Sequence, residues 1–294
     1  RAAREIYYWS RMKHKNIHQL MGVIIFKDGY LGMVSEWMEN GDLHKYLLKN
    51  PGADRYQLVR SQNTAAFLAL TACQCIDVAS GLEYMHNQGT VHGDLKALNV
   101  LVSLEGVARI SDFDFSVMSS ASGLMFSASS NSRSGSIRWV APEMFIEDAP
   151  KRTKQSDVYA LGMTMLEVFT GDFPYPECRM DVGVIKKVEK GNRNSEKQRK
   201  ITGVGRYGVL GVPAVVVLSK LKVGDFPYPE CRMDVGVIKK VEKGTLPPRP
   251  TVHLGSDQQG DLVWQLLLNC WSRNLDERPS AGRIREALFF YAAI

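Results

Sequence analysis

Apolar residues recur at helical spacing in several stretches of the chain. Ile6, Trp9 and Met12 share one face of residues 1–14, which predicts an amphipathic helix. Residues 66–86 are apolar around most of their helical circumference, which predicts a long, buried helix. Further helices are predicted at 43–49, at 261–271, at 281–292, and from the capping residue Ser156 to Phe169.

Short apolar runs bounded by turn residues predict strands. Val23–Phe26 and Leu31–Val34 are separated by four turn-forming residues and predict a two-stranded hairpin. Val100–Val102 and Ala108–Ile110 flank a second turn at Glu105-Gly106. Helices outnumber strands after residue 35, so the pattern predicts a helical lobe attached to a few strands.

One segment of the chain is present twice without a single difference. Residues 171–191 and 224–244 are identical and start 53 residues apart, with a spacer at 192–223 between them. Solenoid proteins carry at least three diverged repeats, so this is not a repeat architecture. We expect one copy to fill a single slot in the fold and the other to loop out with the spacer, at about 3–4 kcal/mol for closing the loop. Either copy could fill the slot, and the duplication could be genuine or an error in the assembled reading frame.

The net charge of +6 is concentrated in the spacer, which holds seven basic residues and one acidic residue. The rest of the chain is neutral, so a nucleic-acid partner is not expected. No apolar run approaches the roughly 20 residues needed to cross a bilayer, so no membrane partner is expected either. Five cysteines without paired spacing indicate reduced thiols and a cytoplasmic location. Oligomeric state is not readable from the sequence.

The string VHGDLKALNVLV at 91–102 carries the main candidate chemistry. It places Asp94, Lys96 and Asn99 within six residues, and Asp112 follows in SDFDF. Phosphoryl transfer needs a carboxylate for the acceptor hydroxyl, oxygen ligands for magnesium, and a cation to offset developing charge.

These strings resemble the catalytic motifs of eukaryotic protein kinases. HGDLKALN is similar to the kinase catalytic loop, which implies Asp94 as the base and Lys96 near the transferred phosphate. The same resemblance implies Asn99 and Asp112 as magnesium ligands, with Phe113 packing beside Asp112.

Further motifs of the same family follow in the family's order. GSIRWVAPE at 135–143 resembles the peptide-positioning segment, and the resemblance implies that Glu143 pairs with Arg278 of LDERPS. SDVYALGM at 156–163 resembles the buried helix whose aspartate, here Asp157, holds the catalytic loop.

The nucleotide-binding positions are also implied by the resemblance. Glu5 lies nine residues before His14, which is the family's spacing for its helix glutamate. MVSEWMENGDL is similar to the hinge that grips adenine, with Ser35 as gatekeeper. The nucleotide-contacting residues implied are therefore Glu5, Glu36, Trp37, Met38, Asn99, Leu101 and Asp112.

The resemblance implies an α+β protein-kinase-like fold, mostly the helical C-lobe with a partial N-lobe. Residues 1–36 would form the partial N-lobe and residues 37–294 the C-lobe, including the duplicated segments and the spacer. The implied function is transfer of the ATP γ-phosphate to a protein hydroxyl, with ATP and Mg²⁺ as cofactors and a protein as substrate. Lys96 favours a serine/threonine kinase, and GSIRW favours the tyrosine-kinase-like group.

Several positions depart from the family's pattern. Gly93 replaces the arginine that usually precedes the catalytic aspartate, and Asp114 replaces the glycine that follows Asp112-Phe113. No glycine-rich loop and no strand lysine precede Glu5. The spacer contains a formal GxGxxG at 203–208, followed by Lys220, which we interpret as a coincidental match. Residues 116–136 hold ten serines, typical of a flexible activation loop or of a phosphorylated one.

These departures leave two alternatives to an active protein kinase. A pseudokinase acting as a binding scaffold is favoured by Asp114 and by the lack of a lysine partner for Glu5. A small-molecule phosphotransferase of the same fold often carries HGD, as here, but lacks the APE and SDVYALGM features.

Overall fold

The computed structural model describes residues 2–26, 31–49, 64–118, 136–146, 151–176, 215–218 and 235–293. The elements of the first half are α1 (Ala2–Trp9), β1 (Leu20–Ile25), β2 (Leu31–Glu36), α2 (Leu43–Lys49), α3 (Thr64–Asn87), β3 (Thr90–Val91), β4 (Val100–Val102), β5 (Ala108–Ile110) and β6 (Val117–Met118). The second half contains α4 (Glu143–Ile146), α5 (Lys154–Thr170), β7 (Val215–Leu218), α6 (Val235–Glu242), α7 (Thr251–Leu254), α8 (Gln258–Cys270) and α9 (Ala281–Ala293). Within the described ranges, single-turn 3₁₀ helices lie at Ala97–Asn99, Ile137–Trp139 and Leu275–Glu277. The expected α+β kinase-like architecture, with helices dominating beyond the hairpin, is confirmed.

The long buried helix predicted from the sequence is α3, and it lies at the centre of the helical part. It packs against α9, α5 and β5. Its described core residues include Ala72, Val78 and Leu82, which are almost fully buried. An apolar surface around the whole helix lets it contact several neighbours at once, so it fixes where β5 and the loop after it lie.

The first helix is shorter than predicted. The expected helix over residues 1–14 ends at Trp9, where tight turns bring the Arg11 and Met12 N–H groups to the carbonyls of Tyr8 and Trp9. The Trp9 indole then donates to the His18 carbonyl. This long-range hydrogen bond turns the chain back toward β1, and helical periodicity alone does not reveal it.

Helix α5 starts at Lys154, and its cap is Thr153, three residues before the predicted cap Ser156. The Thr153 hydroxyl accepts a hydrogen bond from the Ser156 N–H at 3.0 Å. The Ser156 hydroxyl accepts one from the Thr153 N–H at 2.9 Å. This reciprocal pair is a capping box, in which Ser156 occupies the third helical position rather than the cap.

The predicted hairpin forms, and a third strand extends it. β1 and β2 pair antiparallel, and β2 also pairs antiparallel with β7, with Ser35 opposite Val216 and Glu36 opposite Val215. β7 comes from the spacer, so the expectation that the whole spacer loops out is wrong. A run of valines favours a strand because β-branched side chains suit a pleated surface. The GxGxxG at 203–208 and Lys220 lie outside the described residues.

The slot expected to hold one copy of the duplicated segment contains parts of both. Residues 171–176 come from the first copy, where Arg138 donates to the carbonyls of Pro174 and Tyr175, both at 2.7 Å. Helix α6 comes from the second copy and buries Val237 and Val241. The Tyr175 hydroxyl donates to the Thr245 carbonyl at 3.2 Å, which joins the two parts. The prediction of a single copy in the slot is therefore wrong, because identical sequences cannot indicate where the chain crosses from one copy to the other.

None of the described helices is both long enough and apolar enough to span a bilayer.

Candidate active site

The catalytic loop is held in place by Asp157, as the sequence predicts. Its Oδ1 accepts from the Gly93 N–H and its Oδ2 accepts from the His92 N–H, both at 2.8 Å. The Asp157 Oδ2 also lies 2.9 Å from His86 Nε2 on α3. A buried carboxylate with several donors is well satisfied, so α5 and α3 together fix the backbone just before Asp94.

Lys96 and Asn99 both contact the same carboxylate oxygen of Asp94. The Asp94 Oδ2 lies 2.9 Å from Lys96 Nζ and 3.0 Å from Asn99 Nδ2. Asn99 Nδ2 also donates to the Asp94 carbonyl at 2.8 Å. Burial acts to raise the pKa of Asp94, but the Lys96 ammonium and hydrogen bonds from Ser136 and Lys96 overcome it and lower the pKa. Asp94 is therefore an anion at neutral pH.

Asp112 lies beside this group. Strand β5 leads directly to it, and the Ser111 N–H and hydroxyl both donate to the Asn99 carbonyl, at 2.8 and 3.0 Å. Asp112 is exposed to solvent along one side, yet the crowded surroundings of its carboxyl and the nearby charge of Asp94 raise its pKa. The two carboxylates therefore lie close enough for their charges to repel each other.

The backbone has positive φ at Asp112 but not at Asp114, the position where the family has glycine. Asp112 has a φ of 63°, and Tyr175 is the only other non-glycine residue with positive φ in the described part of the chain. Aspartate tolerates the left-handed region better than most residues. The glycine-to-aspartate departure at 114 therefore introduces no left-handed strain, and its remaining effect is the added negative charge.

Phe113 connects α1 to the catalytic loop. Its ring is fully buried and stacks on Trp9 with centroids 5.9 Å apart and an interplanar angle of 23°. On another side it meets the His92 ring edge-on, also at 5.9 Å. Phe113 is thus a buried packing residue whose ring partners are Trp9 and His92, whereas its expected packing beside Asp112 stays a prediction.

Glu5 faces carboxylates. Burial and the charges of Asp112 and Asp114 raise its pKa to about 7. The structure thus places Glu5 close enough to Asp112 and Asp114 for their charges to act on it. A glutamate surrounded in this way is partly protonated at neutral pH.

The residues expected to form the hinge begin with Glu36, the last residue of β2, and continue toward α2. Glu36 pairs with Arg109 of β5 through an Oε2–Nη1 contact of 2.5 Å, Trp37 is exposed, and Met38 is buried. Leu101 of β4 lies opposite Arg109 in the β4–β5 pair. Strand β5, which ends two residues before Asp112, therefore contacts both Glu36 and Leu101 through Arg109.

The peptide-positioning segment contacts the catalytic loop through Ser136. Its hydroxyl accepts from Lys96 Nζ at 2.7 Å. At the other end of the segment, Glu143 and Arg278 form the predicted ion pair, with Nη1–Oε1 at 2.7 Å.

Sequence reasoning missed Glu167, which joins three parts of the site. This fully buried carboxylate lies 2.8 Å from His44 Nδ1 of α2 and accepts from Trp139 Nε1 at 3.1 Å and from the Ala97 N–H at 3.3 Å. Burial raises the pKa of Glu167, although His44 and its other hydrogen bonds oppose the rise. The sequence signal that could have revealed this role is a glutamate within the apolar run MTMLEVF. A charged residue in a buried helix needs polar partners, so such a glutamate predicts contacts with other elements.

Comparison with known proteins identifies the family. A family model described as protein tyrosine and serine/threonine kinase matches residues 1–204. Serine/threonine-protein kinase STY46 of Arabidopsis thaliana is 31% identical over 188 residues, which is 63% of this chain and 29% of that protein. Tyrosine-protein kinase TXK of Homo sapiens is 34% identical over 186 residues, 62% of this chain and 31% of that protein. The probable serine/threonine-protein kinase roco6 of Dictyostelium discoideum is 37% identical over 179 residues, 59% of this chain and 8% of that protein.

The chain spans less than a third of the length of each of these relatives. Serine/threonine and tyrosine kinases both occur among them, which is consistent with the tyrosine-kinase-like group expected from GSIRW. The relatives named above are all protein kinases. With the family model covering more than half of its residues, this chain belongs to the protein tyrosine and serine/threonine kinase family.

Proposed function

We propose that this chain is the catalytic part of a protein serine/threonine kinase, with activity weakened by its departures from the family pattern. The observation that carries the proposal is that Lys96 and Asn99 both contact one carboxylate oxygen of Asp94. Asp112 lies close enough for the charge of Asp94 to raise its pKa. The proposed cofactors are ATP and Mg²⁺, and the proposed substrate is a serine or threonine hydroxyl of another protein.

The donor set suits magnesium. Asn99 uses its amide nitrogen to contact Asp94, and its amide oxygen, with the Asp112 carboxylate, supplies the ligand types that Mg²⁺ prefers. In the described part of the chain, no cluster of three His, Cys, Asp or Glu residues could hold a metal alone. Magnesium typically binds through one or two protein oxygens together with phosphate oxygens and water, so such a cluster is not required. Bound there, Mg²⁺ would offset the negative charge of the phosphates.

Each proposed role follows from the charge of the residue. Asp94, ionised at neutral pH, orients the acceptor hydroxyl and takes its proton at a carboxylate oxygen. Lys96 holds Asp94 and also contacts Ser136, so it lies between the proposed base and the segment proposed to position the peptide. Its ammonium would stabilise charge on the transferred phosphoryl group. Glu36, Trp37, Met38 and Leu101 are proposed to border the adenine.

The second candidate function is a pseudokinase that binds a partner without transferring phosphate. It is favoured by the electrostatics around Glu5, which faces Asp112 and Asp114. Three carboxylates near one phosphate-binding position would repel ATP unless cations intervene.

The test is a thermal-shift titration with Mg-ATP followed by a phosphotransfer assay on a generic protein substrate. The expected result is a magnesium-dependent stabilisation that Asp112→Asn removes and Asp94→Asn retains. Asp94→Asn should lower kcat by about 10²–10⁴-fold, the usual range for a general base. Stabilisation by Mg-ATP without any transfer would favour the pseudokinase, and neither stabilisation nor transfer would contradict the kinase proposal.

A further inference from the structure

Gly93, which takes the place of an arginine in the catalytic loop, has a backbone conformation that requires glycine. Its φ is +83°, in the left-handed region that side chains disfavour. A Cβ built on Gly93 would overlap the Arg152 Cδ, and it would lie 2.8 Å from the Arg152 Nε and 2.9 Å from the Phe115 carbonyl oxygen. The space where a side chain would begin is therefore filled by Arg152, from the loop just before α5.

Arg152 also makes direct contacts with both loops of the site. Its Nε donates to the Gly93 carbonyl at 3.1 Å. Its guanidinium carbon lies 4.8 Å from the centroid of the Phe115 ring, three residues beyond Asp112. Arg152 shares the wall of a surface cavity with Asp94 and Ser136.

The two sides of the Gly93 backbone are thus held by different groups. The N–H donates to Asp157 Oδ1 at 2.8 Å, and the carbonyl accepts from Arg152. The Gly93 carbonyl belongs to the same peptide unit as the Asp94 N–H, so fixing this oxygen fixes the plane from which the Asp94 side chain starts. The stacking on Phe115 relates that plane to the loop that carries Asp112.

We propose that Arg152 is a positioning residue that supplies, from the neighbouring loop, the arginine side chain that the catalytic loop lacks. It holds Asp94 in register with Asp112 through its contacts with Gly93 and Phe115. The expected effect of Arg152 on catalysis rests on the proposed kinase function. The packing of Arg152 against Gly93 does not depend on that function.

Arginine suits this position better than lysine. Its guanidinium is planar and always charged, so it donates from Nε while its flat face covers an aromatic ring. A lysine ammonium can reach a carbonyl but cannot stack in the same way.

The kinetic arm of the test compares Arg152→Met, Arg152→Lys and Lys151→Met. We expect Arg152→Met to lower kcat by about 10–100-fold, the cost of a misplaced catalytic group, with KM values for ATP and peptide nearly unchanged. Arg152→Lys should recover part of the lost kcat, and Lys151→Met, which alters an exposed neighbour, should leave kcat as it is. An unchanged kcat in Arg152→Met, or a loss of thermal stability alone, would overturn the positioning role.

The structural arm is a double-mutant cycle in unfolding free energy with Gly93→Ala and Arg152→Ala. Because the added methyl group meets the Arg152 side chain, Gly93→Ala should destabilise the chain less when Arg152 is already alanine. Additive effects would refute the pairing of the two residues. Since this arm needs no turnover, an inactive but non-additive chain would count against the proposed function and for the pairing, so the two failures are distinguishable.

Discussion

Arg278 and Glu143 form a two-point ion pair across 135 residues of chain, with nitrogen–oxygen distances of 2.7 and 2.8 Å. The Arg278 side chain is fully buried. Its Nη1 also donates to the Gln155 carbonyl at 3.0 Å, and the guanidinium lies over the Tyr159 ring. The pair therefore ties the end of the peptide-positioning segment to the start of α5, the helix that holds the catalytic loop.

Arg278→Met should lower the free energy of unfolding by about 3–5 kcal/mol, because it leaves the Glu143 carboxylate without its buried partner. Denaturant titration measures this change. The control is Lys45→Met, which removes an exposed ion pair with Asp42 and should cost less than about 1 kcal/mol. Equal effects of the two substitutions would show that the buried pair contributes no more than a surface one.

Glu5→Gln should stabilise the chain at pH 8 and have little effect at pH 4.5. The folded-state pKa of Glu5 is about 7 against an ordinary 4.5, so the native state holds a proton that the unfolded state releases. Stability from this group is complete below pH 4.5 and is lost as pH rises through about 7. Allowing for partial exposure, the gain at pH 8 should be about 1–3 kcal/mol.

Metal-free unfolding curves at the two pH values measure this effect. The exposed Glu39 offers a matched control, since Glu39→Gln makes the same chemical change at the protein surface. A Glu5→Gln variant whose stability follows the wild-type pH dependence would contradict the placement of Glu5 near Asp112 and Asp114.

The same substitution in each copy of the duplicated segment tests whether the second copy forms α6. Val237 is fully buried in α6, and Val184 is the identical position in the first copy. A charge placed in the core is expensive, so Val237→Asp should destabilise the chain by about 3 kcal/mol or more, within the range of severe core substitutions. Val184→Asp should cost less, because Val237 is the copy of this position that fills α6.

Thermal unfolding of both single variants and of the double variant decides this prediction. If the two copies exchange freely, each single substitution would be tolerated and only the double variant would unfold early. The structure leads us to expect the asymmetric result.

Glu167→Ala should destabilise the chain and separate the three parts of the site that Glu167 joins. The change leaves the donors of Ala97, Trp139 and His44 buried without their acceptor, and each unsatisfied group costs about 1–3 kcal/mol. Glu167→Gln keeps an acceptor oxygen and should cost less. Unfolding by denaturant compares the two variants, and an equal loss in both would mean that charge, and not hydrogen bonding, is what Glu167 contributes.

The sequence was most informative where a motif places its residues close together along the chain. The hairpin, β4, β5 and α3 were predicted because spacing and periodicity report them directly, whereas the Glu143–Arg278 pair was predicted only from the resemblance to the kinase family. The positions of Trp9 and Glu167 were not predicted, because each depends on a partner many residues away. The same limit hid Arg152, whose contact with Gly93 joins loops 59 residues apart.

The pairing of β7 with β2 has a consequence for variants of the chain that lack the spacer. β2 leads directly into Glu36 and the hinge, and β7 covers its outer side from Met33 to Glu36. Removing 192–223 would uncover a row of backbone donors and acceptors beside the exposed apolar side chains of β1, such as Met21 and Ile25. Open edges of this kind recruit strands from other molecules, so the shorter chain would be prone to self-association and precipitation.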